Sequence, residues 1–294
     1  MLSKFIGNGR FGALYHGEIH SSEDGLPGEE RITRFVKKAL KEFREDFITQ
    51  AKKWSQFHHP NIFTIEAISS GEDPVSLVFE YSAHGCLYQY LIHHSPNNPN
   101  YTRDHALLSK ANLLDISRQI AAGMNYLSSH RYVHGDLMTR NCQVSHSMVI
   151  KITDFSIDRD TCYYRRPNKR PIPLGWMAPE TIDTEVFTTQ SDVWAFGVIL
   201  WEIFTYGFQP YYGYTFPEVR KMVLSAKLLE RPRDCFAFIY ELMEKCWNKD
   251  PTQRPQFLDL HEDLNIFAQE VLQEHDLSDH HDDDIHTHVV SSSC

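Results

Sequence analysis

The sequence predicts an α+β protein in two lobes: a small β-rich lobe carrying one helix, and a larger, mainly helical lobe. Three observations lead there. Between residues 5 and 81, short β-branched and aromatic runs recur at strand spacing. From Leu87 onward apolar residues instead recur at three- and four-residue intervals, the period of helices with one buried face. The chain of 294 residues is also long enough to bury a sizeable core.

The elements follow in order. Strand-like runs occupy 13–19, 32–40 and 76–81, and one helix interrupts them over 42–57, where Phe43, Phe47, Ile48, Ala51 and Trp54 share a face. The lobes join near 82–85. His94 to Tyr101 reads HSPNNPNY, a Pro and Asn cluster that demands a surface loop. Helical periodicity then covers 113–129, 192–206, 217–225, 239–248 and 257–269. Past Gln269 the chain becomes acidic and His-rich, which predicts disorder. The expected organisation is therefore a first lobe at 1–81, a second at 82–268, and an unstructured tail at 269–294.

Composition excludes several classes. Hydrophobic residues at 41% and charged residues at 23% describe an ordinary globular protein. Asp and Glu number 39 against 29 Lys and Arg, and the net charge of -10 disfavours nucleic-acid or anionic-membrane partners. The six cysteines lack metal-finger or paired spacing, so free thiols in a reducing, cytoplasmic compartment are expected. The most apolar run, 193–204, is too short for a membrane span and contains Glu202. Any membrane segment of a longer receptor would lie outside these residues.

Gly7-Asn8-Gly9-Arg10-Phe11-Gly12 is a G-x-G-x-x-G run between strand-like segments, where glycines let backbone amides approach phosphate oxygens. A dinucleotide fold would need a helix directly after it, whereas the sequence continues as strand, so a phosphate-covering hairpin and a plain hairpin both remain. Further on, His134-Gly135-Asp136-Leu137-Met138-Thr139-Arg140-Asn141 sets an Asp and an Asn five residues apart, and Asp154-Phe155-Ser156 follows a short apolar strand at 149–152. One Asp suits a hydroxyl proton, while an Asn and a second Asp suit hard Mg²⁺ ions on phosphates. Trp176-Met177-Ala178-Pro179-Glu180, Ser191-Asp192-Val193-Trp194, Cys246-Trp247, Asp250-Pro251 and Arg254-Pro255 complete the pattern.

Over residues 5 to about 268 this set resembles the protein kinase family. Met138 where serine/threonine enzymes carry lysine, Arg140 before Asn141, and Pro173 before Trp176 resemble the tyrosine branch. The stretches 58–62, 120–130 and 209–213 are similar to ROR-family receptor tyrosine kinases, relatives of the Trk and muscle-specific kinases. The resemblance implies a bilobal kinase fold, ATP and Mg²⁺ as cofactors, a protein substrate with tyrosine, and receptor tyrosine kinase (Wnt/ROR-like) signalling. It also raises a kinase-domain dimer or co-receptor as partners, with the chain cytoplasmic, either as such or as the inner part of a plasma-membrane receptor.

Residue by residue, the resemblance implies that Asp136 is the catalytic base, aided by Lys38, Arg140 and Asn141, and that Asn141 and Asp154 hold the metal. Gly7, Asn8, Gly9, Gly12, Leu14, Val36 and Lys38 would surround the nucleotide. Phe79 would be the gatekeeper behind adenine, with Glu80, Tyr81 and Ser82 as the hinge. Glu180 would pair with Arg254, and Asp192 would brace the catalytic loop. Lys38 is preferred to its neighbour Lys37 because alternation puts Val36 on its face, whereas Lys37 would bring Phe35 against adenine.

Four departures bear on activity. The helix glutamate that should pair with the lysine falls at Gln50, which offers no charge, with Asp46 the alternative acid one turn earlier. Gly135 replaces an arginine that would read an activation-loop phosphate, so phosphorylation of Tyr163 or Tyr164 should matter less. Ser156 replaces a glycine after Asp154-Phe155, and Gly175 replaces a basic residue before Trp176. An attenuated kinase and a pseudokinase scaffold both fit. A small-molecule phosphotransferase is disfavoured, because the segments at Trp176–Glu180 and Asp192 match those that support protein substrates.

Overall fold

The structure is a computed structural model that describes residues 2–9, 12–20, 31–39, 44–69, 74–96, 98, 107–153, 173–184, 186–225 and 227–288. The first lobe is a five-stranded antiparallel sheet of β1 (Leu2–Gly9), β2 (Gly12–His20), β3 (Arg31–Ala39), β4 (Ile65–Ser69) and β5 (Ser76–Phe79), in the order β1-β2-β3-β5-β4. Helix α1 (Arg44–Trp54) follows β3 and buries Phe47, Ala51 and Trp54, the face its spacing predicted. It ends a little before the expected 57.

The second lobe begins with α2 (Leu87–His93), too short for periodicity to detect. Helix α2 stops at the predicted Pro and Asn cluster, of which His94, Ser95, Pro96 and Asn98 are described and non-helical. Helix α3 (Lys110–Ser129) starts at a capping box in which Ser109 and Asn112 exchange side-chain and backbone bonds. The two-stranded sheet of β6 (Cys142–Val144) and β7 (Ile150–Ile152) lies against α3. After α4 (Thr181–Thr184), the lobe is built on α5 (Thr189–Phe204), with α6 (Phe216–Leu224) and α7 (Ala237–Cys246) beyond it. Helix α5 is buried nearly all round rather than on the one face its periodicity predicts, because its apolar residues occupy every face.

The last helix, α8, runs Phe257–His288, and this corrects one expectation. Residues 269–288, read as a disordered tail, continue the helix. Leu260 and Leu264 are buried, and Phe267, Ala268 and Val271 pack on the core, so the helix is nucleated by tertiary contact and each added residue needs only one further backbone bond. Acidic composition reports what a segment can bury, and does not forbid its extending a helix already formed. The side chains of His275, His280, His281, His286 and His288 lie outside the described residues.

Backbone bonds join the lobes where the chain runs from α1 to β4, beside a side-chain bond within the first lobe. Trp54 Nε1 donates to Phe63 O at 2.7 Å, Ile152 N donates to Asn61 O at 2.9 Å, and Phe63 N donates to Ile152 O at 2.8 Å. Gly123 of α3 lies under this junction: a Cβ there would stand 2.8 Å from Ile152 Cδ1 and 2.9 Å from Asn61 O. Alanine improves an isolated helix by about 1 kcal/mol over glycine, but the neighbour here includes backbone, which cannot rotate aside. Gly123→Ala should therefore lower stability, by roughly 1–3 kcal/mol in urea unfolding, the range for overpacking.

Candidate active site

The segment from His134 to Asn141 runs between the start of α5 and β6. The turn at His134 to Asp136 is held by one buried carboxylate. Asp192, 2% exposed, accepts from His134 N at 2.7 Å and from Gly135 N at 2.8 Å. The His134 ring bridges onward, with Nδ1 accepting from Asp136 N at 3.3 Å and Nε2 within 3.2 Å of Thr153 O. Gly135 has φ +69°, a left-handed conformation that glycine takes without strain, and the Phe187 ring lies where a Cβ would contact it at 3.4 Å.

Asp136 is half-buried, and five residues on Asn141 closes the turn by donating from Nδ2 to Asp136 O at 2.5 Å. Asn141 O accepts from Thr153 N at 2.8 Å, tying the end of β7 to the same turn. The Asn141 Oδ1 is buried and has no hydrogen-bond partner among the described residues. Arg140 does not reach across the turn: its guanidinium stacks on the Tyr88 ring of α2, 3.5 Å from the centroid. Asp154, Phe155, Ser156, Tyr163 and Tyr164 lie outside the described residues.

Glu180 and Arg254 form the predicted pair, bidentate at 2.6 and 2.9 Å, and Arg254 also donates to Gln190 O and Asn248 O. Trp176 is buried beside Gly175, whose missing Cβ would meet Pro210 Cγ at 3.2 Å. In the connecting segment, Glu80 bonds Lys151 at 2.9 Å and accepts from Thr64 N, while the buried Ser82 hydroxyl donates to Val144 O at 2.7 Å. Tyr81 is exposed and its ring lies 5.8 Å from His16. Phe79 is 2% exposed and stacks on Phe63.

The β-sheet register fixes the backbone partners of the β3 residues. Directly opposed residues of an antiparallel pair share a face. Lys38 pairs with Ala13 and Ser76, and Val36 with Tyr15 and Val78, on the face that carries the Arg34–Glu66 ion pair. Leu14 pairs with Lys37, and Lys37 with Leu77, the register of the buried Leu77 and Phe79. A one-residue change of register exchanges faces, and adjacent lysines conceal it in the sequence. Gly7, Asn8 and Gly9 end β1, with Gly9 opposite Gly12, so the glycine run is the hairpin end of this sheet. Gln50 is half-buried on α1, beside the Phe47, Ala51 and Trp54 face.

The family profile described as protein tyrosine and serine/threonine kinase matches residues 1–264. The chain belongs to that family. It is 40% identical over 263 residues to the tyrosine-protein kinase transmembrane receptor Ror of Drosophila melanogaster, covering 87% of this chain and 37% of that protein. It is 40% identical over 274 residues to the high affinity nerve growth factor receptor of Gallus gallus, covering 90% and 35%, and 37% identical over 276 residues to the BDNF/NT-3 growth factors receptor of the same species, covering 91% and 33%. The chain thus spans about a third of the length of these relatives. The bilobal kinase fold and the likeness to Ror and Trk receptors are as the sequence motifs indicated. Among the described residues no helix is long and apolar enough to cross a membrane, and Cys86, Cys142, Cys235 and Cys246 are free thiols.

Three participants escaped the sequence reading: Thr139, Tyr88 and Glu202. Glu202 left a signal, a lone carboxylate inside an apolar helix, which served only to argue against a membrane span. Asp192, by contrast, was read correctly as the brace. Asp192→Ala should strand two buried N–H groups and cost about 3 kcal/mol in urea unfolding. Asp192→Asn keeps one acceptor oxygen and should lose less.

Proposed function

We propose that this chain is a protein tyrosine kinase domain, attenuated relative to a kinase with every positioning group, that transfers the γ-phosphoryl of ATP to protein tyrosine. The observation that carries it is the turn in which Asp192 holds the backbone while Asp136 and Asn141 are drawn together by their own hydrogen bond. Asp136 is the acceptor for the tyrosine hydroxyl proton, because the turn fixes its backbone and leaves its residue half-open. The receptor names of the relatives support a further reading, that the natural protein is a receptor tyrosine kinase in ROR-like signalling, with this chain on its cytoplasmic side.

The donor set fits a magnesium–nucleotide complex. Asn141 Oδ1 is a buried hard oxygen without a partner among the described residues, the type of ligand Mg²⁺ takes. Asn141 and Asp154 would hold the ion, and it would supply charge neutralisation on the phosphates. The Gly7–Gly12 hairpin would offer backbone amides to those phosphates, and the connecting segment at Glu80, Tyr81 and Ser82 would meet the adenine. Lys38 is the phosphate-binding lysine on the sequence argument, with Val36 two residues before it on the same strand.

A second reading is a pseudokinase acting as a signalling scaffold. Gln50 favours it, since a neutral amide beside the inner face of α1 cannot supply the charge that would orient a lysine. Phosphotyrosine formation with ATP and Mg²⁺ should exceed that of Asp136→Asn in wild-type protein; equality of the two would sink the kinase reading. Thermal unfolding should show a magnesium-dependent ATP stabilisation of about 2.7 kcal/mol at a hundredfold excess over Kd. Lys37→Ala and Lys38→Ala, compared side by side, should identify the lysine by which of them abolishes that shift, and Asp154→Asn should abolish it too.

A further inference from the structure

We propose that Glu202 is a positioning residue for phosphoryl transfer: ionised, it clamps the turn carrying Asn141 to the turn carrying Trp176, and protonated, it loosens that clamp. This rests on the kinase reading above.

Glu202 sits in the last turn of α5, 1% exposed, and takes three donors from two separate segments. Thr139 donates its backbone N–H to Oε2 at 3.1 Å and its hydroxyl to Oε1 at 2.6 Å. From the other side Trp176 Nε1 donates to Oε2 at 2.9 Å. Thr139 is two residues before Asn141, and Trp176 lies in the 173–177 segment that closes over Asp136, Gly135 and Asp192. A single carboxylate therefore joins the turn bearing the candidate metal ligand to the segment that lines a cavity with Asp136.

The geometry suits only the anion. An ionised carboxylate accepts all three bonds, whereas a neutral acid carries a proton of its own and confronts three groups that are themselves donors. One bond must then weaken or the Thr139 hydroxyl must turn. Burial pushes the Glu202 carboxyl up to about 7, against the opposing pull of the Thr139 and Trp176 bonds and the Arg140 charge. The other titratable group facing it is Cys142 of β6, whose thiol is raised by burial and by Glu202 and so stays neutral. The negative end of the α5 dipole acts in the same direction as burial. The clamp thus tightens as pH rises through neutrality.

The test follows the Trp176 indole N–H by ¹⁵N NMR between about pH 5.5 and 8.5, with its resonance assigned through Trp176→Phe. Wild type should show one inflection near 7, and Glu202→Gln should lose it. Thr139→Ala removes a donor that favours the anion and should move the inflection upward, and Thr139→Ser should return it. In tyrosine-peptide phosphorylation, kcat should rise through the same inflection while KM for ATP stays level. A flat indole signal, or an inflection that persists in Glu202→Gln, overturns the clamp. An indole inflection without any turnover overturns the kinase reading, and the catalytic half of this proposal with it, while the clamp stands.

Discussion

The site depends on one constraint: a helix buried on every face must satisfy the polar groups it carries into the core. Helix α5 carries two carboxylates, and each is satisfied by gripping the segment between His134 and Asn141. Asp192 stands in the first turn, where the helix dipole favours an anion and two backbone N–H groups arrive from His134 and Gly135. Glu202 stands in the last turn, where the dipole opposes it and burial raises its proton affinity. The rigid element therefore holds the reactive segment at both ends, with unequal firmness. Stability and positioning come from the same bonds.

The upper lobe is joined to this frame by backbone bonds of the other kind, between neutral groups. Asn61 and Phe63 tie the chain after α1 to β7, and the Glu80–Lys151 pair adds a charged contact close by. Such bonds fix where the sheet sits. With Gln50 neutral, nothing in the charge pattern of α1 beyond Asp46 selects between the adjacent lysines. The departures from a complete kinase pattern thus cluster in positioning groups. Asp136 and Asn141 themselves remain joined.

Gly135 shows how a departure can be absorbed. The position has a left-handed φ, which costs a side-chain-bearing residue strain and costs glycine almost none, and Phe187 covers the space. Helix α8 shows the reverse: an acidic, His-rich stretch that composition assigns to disorder is carried on as helix, because the preceding turns are already packed.

The sequence by itself determined the two lobes, the buried face of α1 and the Asp136 to Asn141 segment, each from spacing within a segment. The Glu180–Arg254 pair and the bracing role of Asp192 came only through the resemblance to a known family. Tertiary structure alone decided the β3 register, the stacking of Arg140 on Tyr88, and the meeting of Thr139 with Trp176 at Glu202. Those depend on segments tens of residues apart in the chain, where a one-residue slip reverses a face and no local period records it.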